Sequence, residues 1–419
     1  MSTNRLKKNI TALFILQGAN YLLPLITIPY LVRVLGPENF GRIAFAQSFI
    51  TYFVVLTDYG FNLSATRTVA QVRDDKEALS RLASAVMLVK GGLTFAGFAV
   101  MLGIVFAFPD WRADWTLFAW VYLMVVGSFL FPIWLFQGLE RMYHITVFTL
   151  LARLMIVIAT FALVHEATDY HLAAGLQAGA LVLAGIMVWI ALPRIVTIRW
   201  QWPGLAELRR VMAEGWHVFV ASLAGNAANS SNIFFLGLVS SPAIVGYFAA
   251  AEKLIRAVQG LIYPVSQAAY PHVTGLLKIS RDKALQFIAK LTWVFALGAA
   301  ASSLGLFILA DQITWLLYGD GFQETAELIR ALSIIPFLIA LNNILGAQVL
   351  VQFGLSRLLS TSTMIPTLLH IALLYFVAAE FGAMGVAMII VFTETLMLAV
   401  RITGLAAQQP EILKKIVRG

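Results

Sequence analysis

Leu35-Gly36-Pro37-Glu38-Asn39-Phe40-Gly41 closes the first long apolar run of this chain, and an echo of it stands about 205 residues further on. There Pro242 falls in the place of Pro37, Gly246 in that of Gly41, and Ala249 and Ala251 match Ala44 and Ala46. Both copies lie in a short break between two apolar stretches. Gly permits unusual backbone angles and Pro suits a first helical turn. Gly36, Pro37 and Gly41 therefore read as a structural turn leading directly into the next helix. The echo implies one unit present twice, a common build for membrane bundles that rock between two states.

The composition places those breaks in a bilayer. The chain is 60% hydrophobic and 12% charged, with a mean hydropathy of +0.85. A soluble protein carries roughly 45–50% apolar and about 25% charged residues. Its apolar runs are continuous, which excludes a transmembrane barrel, whose strands alternate. At about 20 residues per span, 419 residues accommodate roughly twelve helices. The expected spans are approximately 10–33, 41–64, 82–108, 115–137, 145–165 and 171–192, then 216–239, 243–266, 287–310, 325–351, 358–378 and 384–404. The fold class is an all-α polytopic membrane protein.

Loop charge sets the orientation. Segments 1–9, 65–81, 138–144, 193–215, 267–286, 352–357 and 405–419 hold most loop cations, while the alternate loops carry almost none. The bias puts both termini in the cytoplasm. Six spans per half then make the halves parallel repeats. The domain reading is an N-terminal six-helix lobe 1–192, a cytoplasmic amphipathic linker 193–215, a C-terminal six-helix lobe 216–404 and a cytoplasmic tail 405–419. The linker carries Trp200, Trp202 and Pro203 before Leu205-Ala206-Glu207-Leu208-Arg209-Arg210, a short helix with aromatic anchors suited to the membrane surface. Strings after the second span of each half, Asp75-Lys76-Glu77-Ala78-Leu79 and Asp282-Lys283-Ala284-Leu285, agree with the repeat. The net charge of +8 is the ordinary signature of such loops, and no nucleic-acid module is present. With no Cys, disulfides and Cys-based metal or redox sites are excluded. Arg5, Lys7 and Lys8 before an apolar run lacking a small-residue cleavage site read as an uncleaved first span.

Catalytic signatures are missing. There is no metalloprotease or P-loop motif and no triad, and the six His residues are scattered, so neither a catalytic residue nor a metal site is assigned. No long soluble segment could house an ATPase, so any pumping uses an ion gradient (H⁺ or Na⁺), the membrane potential or the substrate gradient. Ionisable groups inside spans are costly and mark function by default. The deepest are Lys90, Arg153, Lys253, Arg256, Arg330 and Glu394, with Asp58 towards the basic-loop side of its helix. Cations outnumber anions, which favours an anionic ligand. Lys253 and Arg256, three apart, can face a cavity together with Gln259 a turn on. Equally, Glu252 and Arg256, four apart, can neutralise each other. Lys90 and Arg153 are further cavity cations or snorkelling groups. Asp58 and Glu394 are counter-ions or proton carriers. Asn226 and Asn229 on the seventh span, with Asn20 on the first, either line a wet cavity or bond helices together.

Several stretches resemble the Wzx-type O-antigen, or polysaccharide repeat-unit, flippases of the multidrug/oligosaccharidyl-lipid/polysaccharide exporter superfamily. They are Gln17 through Pro24, Leu31-Val32-Arg33 with Leu35 through Gly41, Tyr59 through Leu63, Pro132 through Gly138, and Gln259-Gly260-Leu261 with Pro264, Gln267, Tyr270 and Pro271. The resemblance implies a MATE-like fold, two parallel six-helix lobes around a central cavity. It also implies a substrate, an undecaprenyl-diphosphate-linked oligosaccharide carried from the cytoplasmic to the periplasmic leaflet of the bacterial inner membrane by alternating access. Such work belongs to lipopolysaccharide biosynthesis, with a polysaccharide polymerase and chain-length proteins as expected partners and a monomer as the expected state. On this reading Lys253 and Arg256, helped by Lys90 and Arg153, hold the diphosphate. Two alternatives remain: a cation-coupled multidrug exporter, against which stands a first span without an acidic residue, and a scaffold or enzyme of polysaccharide assembly.

Overall fold

The computed structural model describes residues 3–260 and 262–418; the side chains of 3–22, 25, 224, 226–229, 262–265, 268 and 417–418 lie outside the described set. Among the described residues the chain is helical without strands. Eight stretches of the described residues are long and apolar enough to cross a membrane. Two of them are each a pair of helices, broken at Gly36 (φ 72°) and Gly382 (φ 56°). Helices Leu205–Val239 and Pro242–Gly260 occupy the expected seventh and eighth spans. The repeated turn behaves alike in both places: a helix starts with Pro37 just after the break at Gly36, and another starts at Pro242. Proline lacks the N–H that a first helical turn leaves unbonded anyway.

The chain divides into two compact units, Met1–Ser230 and Ser231–Gly419. In the first, Phe61, Val86, Phe131, Trp134 and Phe136 are buried in one apolar cluster. Phe95, Ile158 and Ile190 point outwards, which in hydrocarbon is no penalty, because lipid is as apolar as the core. Helix Lys76–Ala107 starts at Asp75, whose Oδ1 accepts from the N–H groups of Glu77 (2.9 Å) and Ala78 (3.0 Å). These two donors hold the Asp75 carboxyl below its ordinary range. The fourth span is three pieces, Trp115–Val121, Leu123–Leu130 and Ile133–Gly138, with Pro132 at the last break. Proline cannot supply the N–H that would have continued the ladder.

The second span, expected to run to residue 64, ends at Asp58. Tyr59 (φ 43°) and Gly60 (φ 74°) turn the chain into helix Phe61–Val72. The elbow packs against residues of the helix beginning at Leu205: the Tyr59 ring stacks on Phe219 at 4.8 Å, and a Cβ on Gly60 would stand 2.7 Å from Cβ of Val218. Both the left-handed backbone and the contact demand glycine. Gly60→Ala is expected to lower stability by about 2–3 kcal/mol, read as thermal unfolding in detergent. A wild-type melting profile would show that the elbow tolerates a side chain.

The expected surface helix of the linker and the seventh span are one helix, Leu205–Val239. No proline falls between them, and Gly215 and Gly225 are each tolerated within a helix. The preceding extended strand of chain is strapped to helix Lys76–Ala107, where Ser80 Oγ accepts from Arg199 N–H (3.1 Å) and Ser84 Oγ from Gln201 N–H (3.0 Å).

In the second unit Ile288, Ile344, Val349, Leu405, Ile412 and Ile416 are buried in one cluster. The expected span 325–351 is again in pieces: Gln323–Leu332, Ile335–Asn343 and a π-helical stretch Ile344–Val351. The tail holds one more helix, Pro410–Arg418, whose Lys415 pairs with Asp282 at 2.6 Å.

Candidate functional site

In the first unit the charge chemistry centres on Lys90. Its side chain is 1% exposed, and it lies on Lys76–Ala107 one residue before Gly91-Gly92. The ammonium donates to Asp58 Oδ1 (2.9 Å) and to the Ser128 carbonyl (2.8 Å), while Ser128 Oγ donates to the same Asp58 oxygen (2.7 Å). Asp58 is thus the counter-ion of Lys90, and two of the three ammonium donors are committed. The last turn of the second span places that carboxylate, immediately before the strained Tyr59-Gly60 elbow. Arg153 is half-buried on helix Met142–Leu163. The side chain of Asn20 lies outside the described residues.

In the second unit helix Pro242–Gly260 presents Glu252, Lys253 and Arg256 within little more than one turn. Arg256 donates to Glu252 Oε1 at 2.9 Å. Glu252 is buried and Arg256 keeps an exposed edge. Lys253 and Gln259 are half-buried. The one carboxylate of the turn is therefore matched, and the three groups together carry one net positive charge. Arg330, the remaining intramembrane candidate, is paired with Asp311. The side chains of Asn226 and Asn229 lie outside the described residues.

A polar network that the sequence reading touched only through Glu394 runs through the same unit. Asn342 Nδ2 donates to Glu394 Oε2 (2.8 Å) and to the Glu394 carbonyl (3.0 Å). Arg401, 6% exposed, donates through Nη1 to the Asn342 carbonyl (2.6 Å) and through Nη2 to Thr363 Oγ1 (3.0 Å). At Thr393, next to Glu394 in the chain, His370 bridges Thr393 Oγ1 and Asn232 Oδ1, each at 2.9 Å. Arg401 and Asn342 were missed because one sits near the end of its expected span and the other is neutral. A signal existed: Glu394 and Arg401 are seven residues apart, two helical turns, and so share a face. The π-helical stretch begins two residues after Asn342 and carries fully buried Gln348, which donates to the Ser266 carbonyl at 2.8 Å. Single π-turns interrupt regular helices mostly at functional places.

Chemically, the buried groups offer a matched ion pair in one unit and, in the other, a turn of net positive charge and, elsewhere in that unit, a carboxylate held by an amide. The first suits structure. The turn suits binding of an anion, and the carboxylate uptake of a small cation.

Comparison with known proteins follows the same lines. Residues 6–276 match the family model described as polysaccharide biosynthesis protein. A protein of Escherichia coli (strain K12) named "Putative O-antigen transporter" is 34% identical over 402 residues, covering 94% of this chain and 96% of that one. A protein of the same name from Shigella dysenteriae is 30% identical over 400 residues, covering 93% and 98%. Among solved structures, the lipid II flippase MurJ in its inward closed conformation superposes with a TM-score of 0.74 at 13% identity, over 98% of this chain and 90% of that one. An inward-facing multidrug resistance MATE family transporter of the MOP superfamily gives 0.69 at 15% identity, over 97% and 98%. At such identities the two structures speak for the fold alone, a MATE-like helical transporter fold.

Proposed function

We propose, since this chain belongs to the polysaccharide biosynthesis protein family, that it is a membrane transporter that flips an undecaprenyl-diphosphate-linked oligosaccharide, an O-antigen or related repeat unit, between leaflets by alternating access. The observation that supports this most is the likeness to O-antigen transporters over 94% of the chain. The net positive charge of the Glu252-Lys253-Arg256 turn suits such a substrate: Arg binds phosphate oxygens by a planar fork and Lys as a point charge. In this reading Lys253 and Arg256 take the diphosphate, and the lipid tail stays in the bilayer. Lys90, bound to Asp58, holds its own helices together instead. Glu394 is the group offered to H⁺ or Na⁺ if transport is coupled. The protein sits in the inner membrane with both termini in the cytoplasm, as a monomer working beside a polymerase and chain-length proteins.

The test is translocation in sealed vesicles containing the purified protein and its native lipid-linked oligosaccharide. Outer-leaflet appearance of the sugar is expected only with the protein present, and imposed pH or Na⁺ gradients then reveal coupling. Absence of movement with every candidate repeat unit and gradient overturns the reading in favour of drug export or a scaffold role.

A further inference from the structure

Asn343, Gln348 and Gln352 all bond to one helix, Ile262–Ile279, at a spacing that a regular helix does not allow. Ser266 Oγ donates to Asn343 Oδ1. Gln348 Nε2 donates to the Ser266 carbonyl (2.8 Å), and Gln352 Nε2 to the Tyr270 carbonyl (3.2 Å) and to Thr274 Oγ1 (2.8 Å). Ser266, Tyr270 and Thr274 are four apart and share a face. Asn343 and Gln352 are nine apart. That is about two and a half turns of α-helix, which would aim them in opposite directions. The π-helical stretch Ile344–Val351 between them has wider turns and brings both to the same side.

The same stretch has a second face ready. Counted as an α-helix from Asn343, the positions turned towards Ser266 and Tyr270 are Ala347 and Leu350, four and seven residues on. Both are apolar and need no hydrogen bond. The polar register, moreover, is incompletely satisfied. Gln348 is 0% exposed, and its Oε1 is buried with no partner among the described residues. An acceptor left unmade offsets part of what the other bonds contribute.

The two ends of the stretch are built unequally. Upstream, Arg401 donates to the Asn342 carbonyl at 2.6 Å, and Asn342 in turn holds Glu394 at 2.8 Å. Downstream, Gly354 (φ 74°) follows Gln352 by two residues, and nothing lies within 4 Å of where its Cβ would be. One end is fixed. The other has a glycine and open space with which to absorb a rotation.

We propose that residues 344–351 are a two-register switch that transport must pass through. In the π register Gln348 and Gln352 lie on helix Ile262–Ile279; in the α register Ala347 and Leu350 replace them. The change swings Gln352 about half a turn away from Thr274. It parts the two helices at their basic-loop ends and leaves the contact of Asn342 with Glu394 in place. The role in transport rests on the function proposed above, whereas the switch itself is read without substrate.

Deleting Ala347 tests both. It brings Asn343, Gln348 and Gln352 to spacings of four, on one face of an ordinary α-helix, so the amide ladder survives while the π turn is gone. Amide hydrogen exchange over 344–351 in the purified chain is expected to slow about tenfold, because one register remains where the wild type has two. Translocation in the sealed vesicles is expected to fall about tenfold or more. Unchanged exchange overturns the switch. Unchanged transport beside an active wild type overturns its role, while an inert wild type fails the function and not the switch. Thr274→Cys with Gln352→Cys covers the case in which the deletion does not fold. The chain has no Cys of its own, so oxidation ties these two positions alone and holds the π register. The oxidised pair should transport about tenfold or more slowly than the same protein reduced, with recovery on adding dithiothreitol. Equal rates overturn the proposal.

Discussion

Asp58→Ala should be the most damaging single substitution among the buried charges, lowering stability by about 3 kcal/mol in thermal or denaturant unfolding of the detergent-solubilised chain. The reason is its partner. Lys90 is almost fully buried, and Asp58 supplies its only carboxylate among the described residues, 2.9 Å away. Removing one member of a buried pair leaves the other charge uncompensated, which costs about 3–5 kcal/mol. The low end applies, because the Asp58 side chain remains 29% exposed. Asp58→Ala combined with Lys90→Met should recover most of the loss, since an apolar side chain of similar length replaces the stranded ammonium. If the double variant is no better than Asp58→Ala, the damage comes from the Tyr59-Gly60 elbow next door and not from the charge.

Replacing Lys253 and Arg256 together by Gln, with Glu252→Gln added so that no carboxylate is stranded, should cut translocation by tenfold or more at unchanged protein level. Each charge-assisted contact to phosphate is worth about 1.5–3 kcal/mol, so the loss of two is more than enough. Arg256 alone is an ambiguous target, because it holds buried Glu252 at 2.9 Å and its removal strands that carboxylate. Glu252→Gln with Arg256→Gln removes the pair without leaving a charge behind. If that variant transports normally and Lys253→Gln does too, the turn is structural and the diphosphate is held elsewhere. If Lys253→Gln alone abolishes transport while the pair variant does not, the lysine is the ligand and the arginine its support.

Membrane crossings were legible because hydropathy acts over twenty residues and tolerates errors of several positions. The turn at Gly36-Pro37 and its echo at Pro242 were legible because glycine and proline restrict the backbone locally, whatever surrounds them. Their breaks reappear at the expected places. Interruptions inside spans were less visible. The elbow at Tyr59-Gly60 and the π-helical stretch at Ile344–Val351 lie in runs whose hydropathy is continuous. Nor did the sequence reading see that the linker helix and seventh span join, because change of polarity marks a surface, not the end of a helix.

The sequence by itself determined the class of molecule, since that rests on composition and hydropathy. It also singled out the intramembrane charges, because their cost in hydrocarbon is a property of the residue. Only the tertiary structure decided their partners. Lys90 and Asp58 are 32 residues apart, and Asn342 and Glu394 are 52 apart. A hydrogen bond needs atoms within about 3 Å, and no spacing rule reaches across helices to fix that.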